Sequence, residues 1–598
     1  MKKVNIIALA ILAVAGLTFT SCDDLFEPAQ ENNLGLDHMY NDAGYAEGVL
    51  GNAYTRIPCG SFPFSEVATD DAVSNDPSNS WRKAASGTWT ADANPTERWR
   101  DCRAAIMYIN LFLDRADKVH WADDQMAAKM FNDREKGEAY GLRAMFMYYL
   151  LQAHGGVDAN GQLMGVPIIT ESEDVNSEHN LPRNTFAECM KAIYDDCDKA
   201  LELLPMEYKD LADNSPEIPA KYKGANSGQY NRVFGRIFKG RVDGTIVKAI
   251  RSRAALLAAS PAFQASGYKW ADAADYAAQI LDPIGGVAGM DPTGWTWYAN
   301  TKDIDGFKNG ECPKEILWRG EKGENNDWEK DNFPPSLYGK GRINPTQNFV
   351  DAFPMKNGYP IDVKGSGYEA ADPYADRDPR LAAFVVLNGS KVGVNDVVIN
   401  TNADAKDEDG KTPNKDGIDH VANSSTRTGY YLRKLLRQDI NLDPNSTTKQ
   451  YHYTPRIRYT EIFLNYAEAA NEAWGPTGKG GHNYSAYDVI KAIHERAGVG
   501  NEYLESIKND QAKMRELIRN ERRIELSFEG FRFWDLRRWN VNLTETAKGM
   551  SINNATKTYT PIEVEKRDYK DYMIYGPIPY SEVLKFNALV QNRGWEIK

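Results

Sequence analysis

Side chains able to do chemistry are present in this chain, but their spacing withholds the geometries that chemistry needs. His494-Glu495 opens like a zinc-binding His-Glu-x-x-His helix, yet Gly498 stands where the second histidine is required. Gly475 to Gly480 contains a Gly-Lys pair without the spacing or the Ser/Thr of a phosphate-binding loop. No Gly-x-Ser-x-Gly elbow occurs, so no serine nucleophile is indicated. Asp404, Asp407, Asp409 and Gly410 resemble part of a calcium loop, but Ala405 occupies its first ligand position. Asp70-Asp71 and Asp195-Asp196 are adjacent carboxylate pairs. Glycoside hydrolysis needs two carboxyl groups that face each other across the bond, whereas neighbours on a strand or helix point apart. The chain is therefore expected to bind rather than catalyse, with no metal and no cofactor; a surface glycoside hydrolase is the less favoured alternative.

What is chemically distinctive is aromatic. With 13 Trp and 32 Tyr, the chain carries many rings that combine an apolar face with a polar handle. The elements that must position them are helices. Lys136 to Gln152 aligns Ala139, Leu142, Phe146, Tyr149 and Leu150 on one broad face. Asn184 to Leu204 opens on a Thr185-x-x-Glu188 capping box and stops at Pro205. Gly244 to Ala259, Ala271 to Leu281, Pro455 to Trp474, Ser485 to Ala497 and Gln511 to Leu536 show the same period. The expected fold is mostly α, a tetratricopeptide-like helical-repeat scaffold with a few short strands and long irregular loops. No strand–helix alternation suggests a doubly wound sheet. The long loops run from about Arg56 to Trp99, Asp282 to Phe353 and Asn357 to Thr428. Loops of such length are usually functional or disordered, and their Trp content argues for order. Asn402 to Asp419, almost without apolar residues, is expected to project as a mobile excursion.

The first 21 residues read as an address. Lys2 and Lys3 precede the apolar run Ile6 to Leu17, which is too short to span a bilayer. Ser21-Cys22 resembles a bacterial lipobox, with Phe19 where Leu is usual. Lipidation at Cys22 would anchor residues 22–598 by acyl chains. No other stretch approaches the apolar length of a membrane helix. The body divides into an N-terminal region, 22–330, and a C-terminal region, 331–598. Lys+Arg 71 against Asp+Glu 84 gives a formal charge of −13, which disfavours nucleic acid as a partner. Six cysteines in 598 residues are too few for a disulfide scaffold. Cys189 and Cys197, eight apart on a predicted helix, read as small buried hydrophobes.

Four stretches carry a family resemblance. Arg456 to Ala469 (RIRYTEIFLNYAEA) and Leu517 to Trp539 (LIRNERRIELSFEGFRFWDLRRW) resemble two helical signatures of the SusD/RagB family of Bacteroidetes outer-membrane nutrient-binding lipoproteins. Ile578-Pro579-Tyr580-Ser581-Glu582 and Gln591-Asn592-Arg593-Gly594-Trp595 resemble its C-terminal ending, with Arg593 in place of the usual Pro. Arg143-Ala144, Gly155-Gly156 and Gly165-Val166-Pro167 resemble a fourth motif, interrupted here by Val157 to Met164. The charged residues of the second signature read as structural pairs at i,i+3: Arg522 with Glu525, Glu529 with Arg532, Asp535 with Arg538.

The resemblance implies a surface lipoprotein that captures an oligosaccharide and delivers it to a SusC-like TonB-dependent transporter, or a peptide-binding member of the same family. Asp23, Asp24 and Glu27 resemble the acidic cluster that directs such lipoproteins to the outer face of the outer membrane. It also implies that ligand contacts come from the long loops. Asp71, Trp81, Arg82, Trp89 and Asn94 are the candidates in the first. Trp295, Trp297, Tyr298 and Trp328 are those in the second. Trp318, following Glu315-Ile316-Leu317, is expected in the core.

Overall fold

The structure, a computed structural model, describes residues 35–58, 65–308, 310–407 and 409–596. Cys22, its acidic neighbours and Cys59 lie outside the described residues.

The scaffold is a run of helices, each packed on the next. Ala43–Tyr54 packs on Trp99–Leu113, and this on the 30-residue helix Gln125–His154. Phe186–Leu203 packs on that long helix and on Gly244–Ala259, which meets Trp270–Leu281. Tyr459–Trp474 then packs against Trp270–Leu281, Ala486–Ala497 and Gln511–Glu525. One hydrophobic core therefore runs from Met39 to Leu589 and takes side chains from both sides of position 330.

The long helix starts at Asp124, whose carboxylate accepts the Ala127 N–H at 2.7 Å. Its interior glycines, each costing about 1 kcal/mol of helix propensity, permit close approach. A Cβ at Gly137 would lie 2.7 Å from Leu204, and one at Gly141 2.9 Å from Val242. The Thr185/Glu188 capping box forms as its spacing predicts. Cys189 and Cys197 are fully buried free thiols, and burial pushes the Cys189 thiol up to about 12.

The described strands pair two by two and tie distant segments together. Ala72–Ser74 runs antiparallel to Ile343–Pro345, and Ile316–Arg319 to Pro455–Arg458. Trp318 is buried on the latter pair, and its Nε1 donates to the Gly240 carbonyl at 2.8 Å. Val157 to Met164, the insertion in the fourth motif, is a hairpin that pairs Gly156 with Met164.

Three expectations are corrected. Gln511 to Leu536 is two helices, Gln511–Glu525 and Arg532–Arg538, not one. Between them Phe528 and Gly530 take left-handed φ of 59° and 82°. Phe528 is fully buried at this turn, and Glu529 is drawn to Arg458 and Lys434. The break re-partners the ion pairs. Arg522 binds Asp535 at 2.7 Å and Arg532 binds Asp70 at 2.8 Å, so only Asp535–Arg538 keeps its i,i+3 partner, at 2.8 Å. The Asn402 to Asp419 stretch folds back: Ala405 and Asp416 are buried, and the His420 ring bonds the carbonyls of Ala403 and Asn414. Finally, the Arg56 to Trp99 loop holds a short helix, Ser80–Lys83, capped by the Asn79 side chain.

Candidate functional site

The helical scaffold and the C-terminal signature enclose a cavity of about 850 Å³. Its size falls in the range of small-ligand sites. The C-terminal end of Gln125–His154 contributes Tyr148, Tyr149 and Gln152, and Arg98 comes from just before Trp99–Leu113. Arg253 and Arg456 enter from the Gly244–Ala259 helix and the Pro455–Arg458 strand. Phe531, at the end of the turn, and Trp534, in the helix Arg532–Arg538, come from beyond the helix break. Trp81, Trp297, Trp328 and Phe528 add to the aromatic lining.

These side chains are held by one another. Arg98 lies over the rings of Tyr149, at 4.7 Å, and Trp534, at 5.2 Å. It also donates to Gln152 Oε1 at 3.3 Å, while Gln152 Nε2 donates to the Tyr148 hydroxyl at 3.0 Å. The Arg98 backbone N–H donates to His154 Nε2, which leaves Nδ1–H to donate to the Pro577 carbonyl at 2.7 Å. Burial holds His154 down to about 4, so it stays neutral. Burial likewise pushes the Tyr148 hydroxyl up to about 12, so it stays a neutral donor and acceptor. The inner carboxylates are already occupied. Glu461 accepts from Arg253 at 2.5 and 2.6 Å, Glu529 from Arg458 at 2.8 Å, and Asp535 from Arg522 and Arg538. Such a site offers flat apolar faces beside hydrogen-bonding groups. It suits an amphipathic ligand with ring faces and hydroxyls. Among the described residues there is no group of three or more His, Cys, Asp or Glu side chains placed to hold a metal ion.

Three of the nine predicted contacts, Trp81, Trp297 and Trp328, meet at this cavity. Trp81 is half-buried, edge-on to Phe533 at 5.0 Å. Trp297 is almost wholly buried against Tyr453, and its Nε1–H has no partner among the described residues. Trp328 packs on His452 at 5.1 Å. The other six have structural partners elsewhere. Asp71 is fully buried and accepts from Arg523 Nε at 2.6 Å. Arg82 pairs with Glu565 at 3.1 Å. Trp89 is 3% exposed, with its ring against Trp595 at 4.9 Å and its Nε1 donating to Asn94 Oδ1. Asn94 Oδ1 also accepts from the N–H and hydroxyl of Thr96. Trp295 leans on Phe384, and Tyr298 is buried with its hydroxyl donating to the Ala383 carbonyl. The small polar neighbours of Trp89 in sequence concealed this, because its apolar surroundings, Phe533, Tyr569 and Trp595, come from the far end of the chain.

The Asp70-Asp71 pair belongs to a buried charge cluster with Arg523 and Arg532. Burial opposes ionisation of Asp70, but the two guanidiniums outweigh it and hold the carboxyl below the usual range. Glu66, beside them, accepts the Gly530 N–H and a long Ser65 contact, and burial pushes it up to about 7. A carboxyl whose folded value is raised binds a proton the unfolded chain has released. Its stabilisation is complete below the unfolded value near 4.5 and is lost as pH rises towards 7. At about 1.4 kcal/mol per unit, this amounts to roughly 3 kcal/mol. Glu66→Gln should therefore gain stability relative to the parent between pH 5 and pH 7 in urea unfolding. A difference independent of pH would show that Glu66 is ionised in the fold.

Comparison with known proteins fits this architecture. The model of the SusD family matches residues 314–595, and a second, described as starch-binding associating with outer membrane, matches residues 45–222. A SusD-like protein of Formosa agariphila is 29% identical over 155 residues, which span 26% of this chain and 26% of that relative. A SusD-like protein from Bacteroides fragilis superposes with a TM-score of 0.69 at 24% identity, covering 93% of this chain and 98% of that one. A SusD-like carbohydrate binding protein from the same species gives 0.65 at 21% identity, over 92% and 99%. Surface glycan-binding protein A from Bacteroides fluxus gives 0.57 at 17%, over 92% and 99%. The helical-repeat fold with short paired strands is shared by these structures, and the chain belongs to the SusD family.

Proposed function

We propose that this protein binds an oligosaccharide in the cavity walled by Trp81, Tyr149 and Trp534, and does not cleave it. The observation that carries the reading is the juxtaposition of ring faces with fixed donors: Arg98 and Gln152 stand beside Tyr149 and Trp534. Sugars present apolar C–H faces and a belt of hydroxyls, which such a wall matches. The names of related proteins, carbohydrate binding and surface glycan-binding, support the same class. The inner carboxylates are held in guanidinium pairs, which supports binding over acid–base chemistry. We further infer attachment to the outer membrane through a lipidated Cys22, facing outward, and transfer of ligand to a SusC-like TonB-dependent transporter. Mass spectrometry of the mature N-terminus and co-purification from native membranes check these two inferences.

Stacking contributes about 1 kcal/mol per ring. Trp81→Ala and Trp534→Ala should each weaken binding of the best ligand in an oligosaccharide panel several-fold by calorimetry. Unchanged affinity in both variants would move the site elsewhere. Binding to a peptide panel and to no oligosaccharide would select the peptide-binding reading.

A further inference from the structure

The charge of the cavity differs from that of the chain. The protein carries −13 overall, but among the described residues the cavity is lined by seven arginines against five carboxylates. Those carboxylates are accounted for. Glu461, Glu529 and Asp535 are bound by Arg253, Arg458, Arg522 and Arg538, as described above. Glu97 and Asp101 are exposed, and both engage Arg100, through its backbone N–H and its Nε respectively.

Three of the arginines have no carboxylate within 4 Å among the described residues: Arg56, Arg98 and Arg456. Each is instead laid over an aromatic ring. Arg56 sits over Tyr108 at 5.2 Å, Arg98 between Tyr149 and Trp534, and Arg456 over Trp318 at 4.6 Å. The Nε–H of Arg456 is buried and has no hydrogen-bond partner among the described residues. The Nδ2–H groups of Asn465 and the indole N–H of Trp297, both on side chains lining the cavity, are likewise buried without a partner among the described residues. The unsatisfied lining atoms among the described residues are thus donors, and an orphaned buried donor is unfavourable until something accepts from it. Arg98 Nη1 donates to Gln152, and Arg56 Nη1 to the Asn52 carbonyl and the Thr55 hydroxyl; the remaining N–H groups of these planar guanidiniums can serve a planar or tetrahedral oxyanion.

Resting on the oligosaccharide reading, we propose that the ligand is an acidic saccharide, whose carboxylate or sulfate ester is received by Arg98, with Arg56 and Arg456 adding to the field. Neutral sugars would leave the excess guanidiniums unmatched.

The test uses matched pairs in calorimetry: oligogalacturonides against their carboxyl-reduced counterparts, and sulfated galactan oligosaccharides against their desulfated counterparts. The acidic member of at least one pair should bind about tenfold more tightly, a difference of about 1.4 kcal/mol, and the preference should shrink as salt is raised. Which pair responds separates carboxylate from sulfate. Arg98→Gln should abolish the preference. Arg56→Gln, at a half-buried position, provides a second variant should Arg98→Gln fail to fold, and should reduce the preference. Equal affinity for neutral and acidic members, or an acidic preference that survives both substitutions, would overturn this proposal while leaving the oligosaccharide reading in place. Binding of no saccharide from any arm would overturn both.

Discussion

Arg380→Met should lose about 3–5 kcal/mol of stability at neutral pH, the expected cost of removing one partner from a buried ion pair. Arg380 is fully buried and donates to Asp378 at 2.7 Å, to Glu525 at 2.8 Å and to Glu521 in a closer contact. His494 also approaches Glu521, at 3.3 Å. Burial opposes ionisation of Glu521 and Glu525, but the guanidiniums of Arg380 and, for Glu525, Arg496 hold both carboxyls below the usual range. Groups depressed in this way stabilise the fold above their unfolded value and lose that contribution as pH falls. Without Arg380 the carboxylates would favour protonation, so the deficit should shrink between pH 7 and pH 4. Urea unfolding of parent and variant across that range measures it. A loss below about 1 kcal/mol at pH 7 would show that the other cations of the cluster suffice.

The second large effect is at Trp89. Its truncation to Ala should cost about 3–5 kcal/mol, as for a buried aromatic. The ring packs among Phe533, Tyr569 and Trp595, beneath the Arg537 guanidinium at 5.0 Å. Oligosaccharide affinity of the folded fraction should be unchanged, because Trp89 does not line the cavity. Trp81→Ala should show the reverse balance, a larger effect on affinity than on the unfolding midpoint. Two tryptophans eight residues apart in one loop would thus separate into a scaffold residue and a binding residue. Loss of affinity in Trp89→Ala without loss of stability would reverse the assignment.

How much was legible follows from which forces are local. The Thr185–Glu188 capping box, the Pro205 stop and the apolar face of Lys136 to Gln152 are set within one or two turns, and they appear where the residue pattern places them. The break at Phe528 is not local. Every residue from Gln511 to Leu536 tolerates helix except Gly530, and the turn is imposed by Arg458 and Lys434 pulling on Glu529 from elsewhere in the chain. The same reasoning covers the misplaced ion pairs, since a guanidinium reaches carboxylates across the core as readily as those one turn away. Trp81, Trp297 and Trp328 were accessible as loop aromatics. Arg98, Tyr149 and Trp534 were not, because each lies in a helix or beside one, in a pattern that reads as ordinary core. The stronger signal available was Tyr148-Tyr149 with Gln152 at the C-terminal end of an otherwise apolar face: three polar-tipped side chains where a buried helix needs none.

The central claim is that the cavity between Arg98, Tyr149 and Trp534 receives the sugar. A crystal structure of the protein soaked with the tightest-binding oligosaccharide tests it most directly. The account predicts a sugar ring against Trp81 or Trp534, with a hydroxyl or acidic group within hydrogen-bonding distance of Arg98. An ordered saccharide bound elsewhere on the surface, with only water in the cavity beside Arg98, would contradict it.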